Sequence, residues 1–117
     1  MTPDQSRRQY VRVNVDIPVE FRVEGDAAPH YGTACDLGAG GMRLVSPADI
    51  PARTNLTLQF RLRAAEREIH ARGHVVLSFL NRAQQAYHHG VAFTALAADD
   101  KEAISDFVRV LELTKNV

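Results

Sequence analysis

The chain has 117 residues, 45% of them hydrophobic and 24% charged, and its 14 basic and 14 acidic side chains cancel to a formal net charge of zero. Such a composition describes one soluble globular domain, and the lack of a basic excess argues against a bulk nucleic-acid binder. The single cysteine, Cys35, excludes an intrachain disulfide and fits a reducing cytoplasm; no apolar stretch is long enough to span a membrane, and the opening MTPDQSRRQY lacks the apolar region of a secretory signal.

Residues 1–12 show no apolar periodicity and read as a flexible basic arm, with Arg7, Arg8 and Arg12 against Asp4 alone. From Val13 the pattern alternates through Val15, Ile17, Val19, Phe21 and Val23, which predicts a half-buried strand. Pro18 on its polar face marks an edge or a bulge. After the turn at Glu24-Gly25-Asp26, residues from His30 to Leu37 predict a second strand with Tyr31, Thr33 and Cys35 on one face. Glycines between Gly38 and Gly41 break it. Met42, Leu44 and Ser46 make a short third strand, and Leu56, Leu58, Phe60 and Leu62 a fourth. A long fifth strand places Ile69, Ala71, Gly73, Val75, Leu77 and Phe79 on one face, and a hairpin turn at 81–84 leads into a sixth near Ala86 to Ala95.

The period then changes to that of a helix. Asp99 and Glu102 have the spacing of a capping box, and Ile104, Phe107, Val108 and Leu111 follow as one apolar stripe. Six short strands and one amphipathic helix predict a mainly β fold: an antiparallel barrel over residues 13–97, closed so that it leaves no edges, with a C-terminal helix and tail over 98–117 packed on one mouth.

Two separated polar stretches carry the chemistry. Arg8 and Arg12 stand four apart, with Arg7 directly before them, and Asp36 precedes the glycine-rich run that ends at Gly41. A guanidinium fork matches the O6 and N7 acceptors of guanine, pairs with phosphate and stacks on a base. A carboxylate accepts from the N1–H and N2–H₂ donors on the opposite edge of guanine. Glycines let a turn approach a flat ring and adopt positive φ. Arg43, just after the turn, is placed to meet a phosphate, although a solvated strand residue is an equal reading.

These stretches resemble the two ligand-binding motifs of the PilZ domain, RxxxR and (D/N)xSxxG, and the resemblance covers roughly residues 7–113. It implies the barrel-and-helix architecture, a bacterial source, and a receptor for the second messenger cyclic di-GMP that has no enzymatic activity and needs no cofactor. The implied ligand-binding residues are Arg7, Arg8, Arg12, Asp36, Gly38, Gly41 and Arg43. In that family an arginine at the place of Arg7 accompanies binding of an intercalated ligand dimer. Gly38 departs from the motif, since it stands where the family carries serine. One missing hydroxyl removes a hydrogen bond worth about 0.5–1.5 kcal/mol, up to about tenfold in affinity. The arm is expected to fold over the nucleotide and signal to a downstream protein. The alternative is a PilZ-fold adaptor that acts only through protein contacts, as some family members do.

Other residues point elsewhere less well. An oligonucleotide-binding barrel usually shows stacking aromatics and a basic groove, whereas only Tyr10 and Tyr31 lie near the basic segment. His70 and His74 share an outward strand face about 13 Å apart, too far to hold one metal. His88 and His89 are adjacent and face opposite ways, so that one of them can reach a ligand on the outer side. Cys35 reads as a small core residue rather than a nucleophile. No catalytic motif is present.

Overall fold

Alternating apolar residues build six strands: β1 (Arg12–Val23), β2 (His30–Gly38), β3 (Gly41–Ser46), β4 (Asn55–Leu62), β5 (Arg67–Asn81) and β6 (Ala86–Leu96). The structure, a computed structural model, describes residues 11–114. The strands pair antiparallel in the order β1-β2-β3-β6-β5-β4 and close into a barrel. Inward residues fill it completely: Val19, Phe21, Ala34, Leu37, Met42, Leu44, Leu58, Phe60, Ile69, Val75 and Val91 are all buried. A single 3-10 turn, Arg63–Ala65, joins β4 to β5, and Glu66 takes the left-handed conformation that reverses the chain, with φ 50°.

The barrel and the C-terminal helix match the sequence expectation, but the phase of two strands does not. In β2 a bulge between Ala34 and Asp36 inserts one residue against β3. Ala34 and Leu37 therefore both face the core, while Tyr31 is exposed and Cys35 half-buried. Cys35 is thus a bulge residue rather than a core residue. Burial, reinforced by neighbouring Asp36, pushes its thiol pKa up, so it is a poor nucleophile. In β5 a second bulge between Val75 and Leu77 flips the alternation. Leu77 and Phe79, expected on the inner face with Val75, are instead exposed. Pro18 lies next to a third irregularity, between Asn14 and Ile17 of β1, and just before the ladder to β4 begins at Val19. No β4 residue pairs with it, so its missing amide costs nothing there.

The helix α1 (Ala98–Thr114) begins before Asp99, so that residue sits inside the first turn rather than at the cap. A carboxylate there still favours the helix N-terminus. Asp100, buried, receives a 2.8 Å hydrogen bond from Arg67 Nε and ties the helix to the start of β5. Ile104 and Val108 are buried against the barrel, and Phe107 and Leu111 pack beside them. Burying each large apolar side chain contributes roughly 1.5–3 kcal/mol. The helix contacts β1, β2, β5 and the 3-10 turn, and so covers the mouth of the barrel where β1 begins.

The two adjacent histidines of β6 are both structural. His89 is fully buried inside the barrel. Its Nδ1 lies 3.0 Å from the Leu44 carbonyl, and its Nε2 accepts a 3.1 Å bond from the Ile50 amide. This neutral ring pins the loop between β3 and β4 to the core. His88 lies on the outer side, stacked on Phe79 at 5.2 Å, with Nε2 2.6 Å from Gln84 Oε1 and Nδ1 buried without a partner.

Two outcomes follow for stability. Replacing His89 by Ala strands two buried backbone groups and opens a cavity, so chemical denaturation should show a loss of about 2–4 kcal/mol; a loss below about half a kilocalorie would mean that water replaces the ring at no cost. Burial, then Arg43 and His89, lower the pKa of His88 below its ordinary 6.5. The unfolded chain therefore binds the proton more readily, and stability present above pH 6.5 is lost as pH falls below that value toward the lowered pKa of the folded state. Melting curves of the wild type should show that decline, and His88→Gln should flatten it.

Candidate functional site

The sequence motifs meet on the outer face of the sheet formed by β1, β2, β3 and β6. Arg12, expected as the end of the arm, is instead the first residue of β1 and pairs with Gly38. Its backbone continues the ladder while its side chain turns outward. Arg7 and Arg8 lie outside the described residues. Asp36 pairs with Arg43, Gly38 with Gly41, and Gly41 with Ala92. Two outward rows result. One runs from Arg12 through Gly38 and Gly41 to Ala92, and the other from Asn14 through Asp36 and Arg43 to Gly90 and Leu77.

Asp36 is the centre of this face. Its Oδ1 accepts a 2.9 Å bond from the backbone amide of Arg43 and lies 3.4 Å from Arg12 Nη1. Its Oδ2 is 3.7 Å from Arg43 Nε. The carboxylate side chain is only 16% exposed, against 20% for Arg12 and 47% for Arg43. The bulge before Asp36 turns its side chain back onto β3, which brings Oδ1 to the Arg43 amide. Two cations and one anion therefore stand together on this face. A carboxylate has about four acceptor sites, so Asp36 retains capacity beyond these bonds.

The glycines serve space rather than unusual dihedral angles. Among the described residues only Gly25 is a glycine with positive φ, which corrects the expectation for the turn at 38–41. A Cβ at Gly41 would stand 2.1 Å from the Val91 carbonyl oxygen and 3.0 Å from Arg12 Nη2. A Cβ at Gly38 would stand 2.5 Å from the carbonyl oxygen of Val11 and 3.0 Å from Arg12 Cγ. Gly38 is therefore more than a serine lacking its hydroxyl, because the backbone of Val11 occupies the place where a serine side chain would begin. Sequence reasoning missed this, since no local pattern reveals which distant backbone passes over a glycine.

Residues outside the motifs also shape the face. Gly90 and Ala92 of β6 keep it flat beside Arg43 and Gly41, and Leu77 lies over Gly90. The run Gly90-Val91-Ala92 was visible only as the middle of a strand. His88 does not reach an exposed ligand surface, being buried beneath Phe79. Among the described residues no group of histidine, cysteine and carboxylate side chains is arranged to hold a metal, and no helix is long and apolar enough to cross a membrane.

No curated protein sequence matches the chain significantly. Solved structures do. The inhibitor of motility MotI/DgrA of Bacillus subtilis superposes with a TM-score of 0.84 at 23% identity, over 95% of this chain and 54% of that one. The PilZ domain of YcgR from Escherichia coli with c-di-GMP gives 0.68 at 11% identity, over 93% and 94%. PlzA of Borreliella burgdorferi in complex with c-di-GMP gives 0.64 at 19%, over 90% and 42%. The chain thus spans about half the length of MotI/DgrA. At these identities the likeness is one of fold. The family model of the PilZ domain matches residues 6–109, and with Arg12, Asp36 and Gly41 gathered on one face the chain belongs to the PilZ domain family.

Proposed function

We propose that the chain is a receptor for cyclic di-GMP that binds the nucleotide on the outer face around Asp36 and is not an enzyme. The observation that carries this reading is the Arg12–Asp36–Arg43 cluster above a floor of glycine and alanine. Solved PilZ-fold relatives with c-di-GMP, from YcgR and PlzA, support it. Arg12 offers its fork to the O6 and N7 edge of one guanine, and Asp36 accepts from the N1–H and N2–H₂ of another. Arg43 faces a phosphate. Arg8, four residues before Arg12, closes over the ligand from the other side, and Arg7 completes a set of guanidinium groups sized for an intercalated dimer of the nucleotide. Part of the binding energy is spent in ordering this segment. The ordered segment then signals to a partner protein.

Isothermal titration with cyclic di-GMP, with GTP as control, tests this directly. Saturable binding at two nucleotides per chain is expected for the dinucleotide alone, with slower amide exchange at residues 5–13 on saturation. Binding at one per chain would remove the role given to Arg7. Absence of binding would leave a PilZ-fold adaptor that works through protein contacts. Arg8→Ala and Arg12→Ala should each weaken binding by about tenfold to a hundredfold, the value of one lost bidentate contact. Arg12→Ala should also lower stability slightly, by about 0.5–1 kcal/mol, because it loses its cross-strand bond to Asp36.

Gly38→Ser separates two accounts of the motif. If the serine hydroxyl were simply missing, the variant would bind more tightly at unchanged stability. The contact with Val11 predicts the opposite: no gain in affinity, and a loss of roughly 1–3 kcal/mol in stability as the start of β1 is pushed outward.

A further inference from the structure

Charge is distributed unevenly along this neutral chain. From Ile69 to Ala98, nearly the whole β5–β6 hairpin, the sequence holds none of the 14 acidic residues, while Arg72 and Arg82 fall within the run. The same hairpin carries large apolar side chains in water: Val76 is 54% exposed, Leu77 51%, Phe79 46% and Leu80 41%. The bulge between Val75 and Leu77 puts them there. It turns Val76 and Leu77 outward together beside Gly90, and Phe79 follows on that face, stacked on His88.

Exposed arginines stand on three sides of this patch. Arg72 precedes it on β5, and Arg82 follows it in the hairpin turn. Arg53 N donates to Val75 O at 2.7 Å, which sets the third arginine against the flank of β5. None of the three makes an ion pair among the described residues. Asp49, the carboxylate of the loop beside them, accepts a 2.9 Å bond from the Ser78 hydroxyl.

An exposed apolar patch of this kind marks an interaction surface. We propose that its partner is an anionic lipid bilayer, on which the hairpin docks peripherally. Val76, Leu77, Phe79 and Leu80 enter the boundary between headgroups and acyl chains, and Arg53, Arg72 and Arg82 meet lipid phosphates. Charge argues against a second copy, since packing two such patches together brings the arginines of both chains together with no hairpin carboxylate to pair them. Shape argues against an acidic peptide, which is usually held in a groove. None of the principal clefts among the described residues is lined by any of the four apolar side chains. A fluid bilayer needs no matching cavity. It rewards apolar side chains that leave water and basic side chains near its negative surface, and this hairpin supplies both. The inference does not rest on nucleotide binding.

Flotation with lipid vesicles, without nucleotide, tests it. The protein should rise with vesicles of phosphatidylcholine and phosphatidylglycerol in equal parts and stay behind with phosphatidylcholine alone. Added salt should release it, because the arginine contacts are screened. Arg53→Gln with Arg82→Gln should weaken binding to the anionic vesicles by about tenfold or more, and Leu77→Ser with Leu80→Ser by a similar factor. The arginine pair is exposed and should melt like the wild type, so it keeps the test sound should the leucine pair fold poorly. Failure to float with either vesicle would overturn the inference, as would equal flotation with both, or variants that float like the wild type. Two further outcomes would also overturn it by naming another occupant. One is a dimer in sedimentation velocity that the leucine pair abolishes, with no flotation, which assigns the patch to a second copy. The other is retention on polyglutamate with no flotation, which assigns it to an acidic protein.

Discussion

At Gly41 the Val91 carbonyl lies so close that a Cβ would stand 2.1 Å from its oxygen, and at Gly38 the Val11 carbonyl leaves only 2.5 Å. These two approaches set the shape of the outer face. They let β1 begin directly over the turn between β2 and β3, which in turn brings Arg12 across to Asp36. With side chains at either position the backbone would have to move, and the guanidinium with it. The arginine and the carboxylate are 24 residues apart in sequence. They meet because two glycines leave no volume between three segments of backbone.

Electrostatics then builds on that geometry. Asp36 is little exposed and would be expensive to bury alone. The Arg43 amide and the Arg12 and Arg43 guanidinium groups offset that cost. In return the carboxylate fixes where both cations sit, and positive charge is concentrated locally on a chain whose formal total is zero.

Periodicity made the six strands and the helix legible, because alternation with period two and an apolar stripe with period near 3.6 survive in any context. Bulges were not legible. Leu77 and Phe79 continue the alternation of Ile69, Ala71, Gly73 and Val75 without a break in sequence, yet one extra residue against β6 sends them outward. Cys35 shows the same effect in β2. The motif residues Arg12, Asp36, Gly41 and Arg43 could be placed near one another by resemblance, but the reason for Gly38 could not. Its neighbour in space is Val11, and only a folded backbone shows that. His89 was equally hidden, since a histidine inside an alternating strand reads as polar surface until both its ring nitrogens are seen to hold backbone groups of the core.

The floor of this outer face and its border at the start of β1 are held very differently. The floor of the site is locked: Gly41 and Ala92 are paired, Gly40 O holds the Phe93 amide at 2.9 Å, and Val91 is fully buried. A barrel packed this densely does not deform continuously. The opening of β1 is different. Val11 is 58% exposed and precedes the first paired residue. It also lines one cleft with Ala39 and with Ser105, Val108, Arg109 and Glu112 of α1. Arg12 therefore follows directly on the residue that borders the helix, whereas the floor is held by the barrel. Val11 thus stands between Gly38 and the helix, so the glycine at the family's serine position also governs how closely the start of β1 approaches α1.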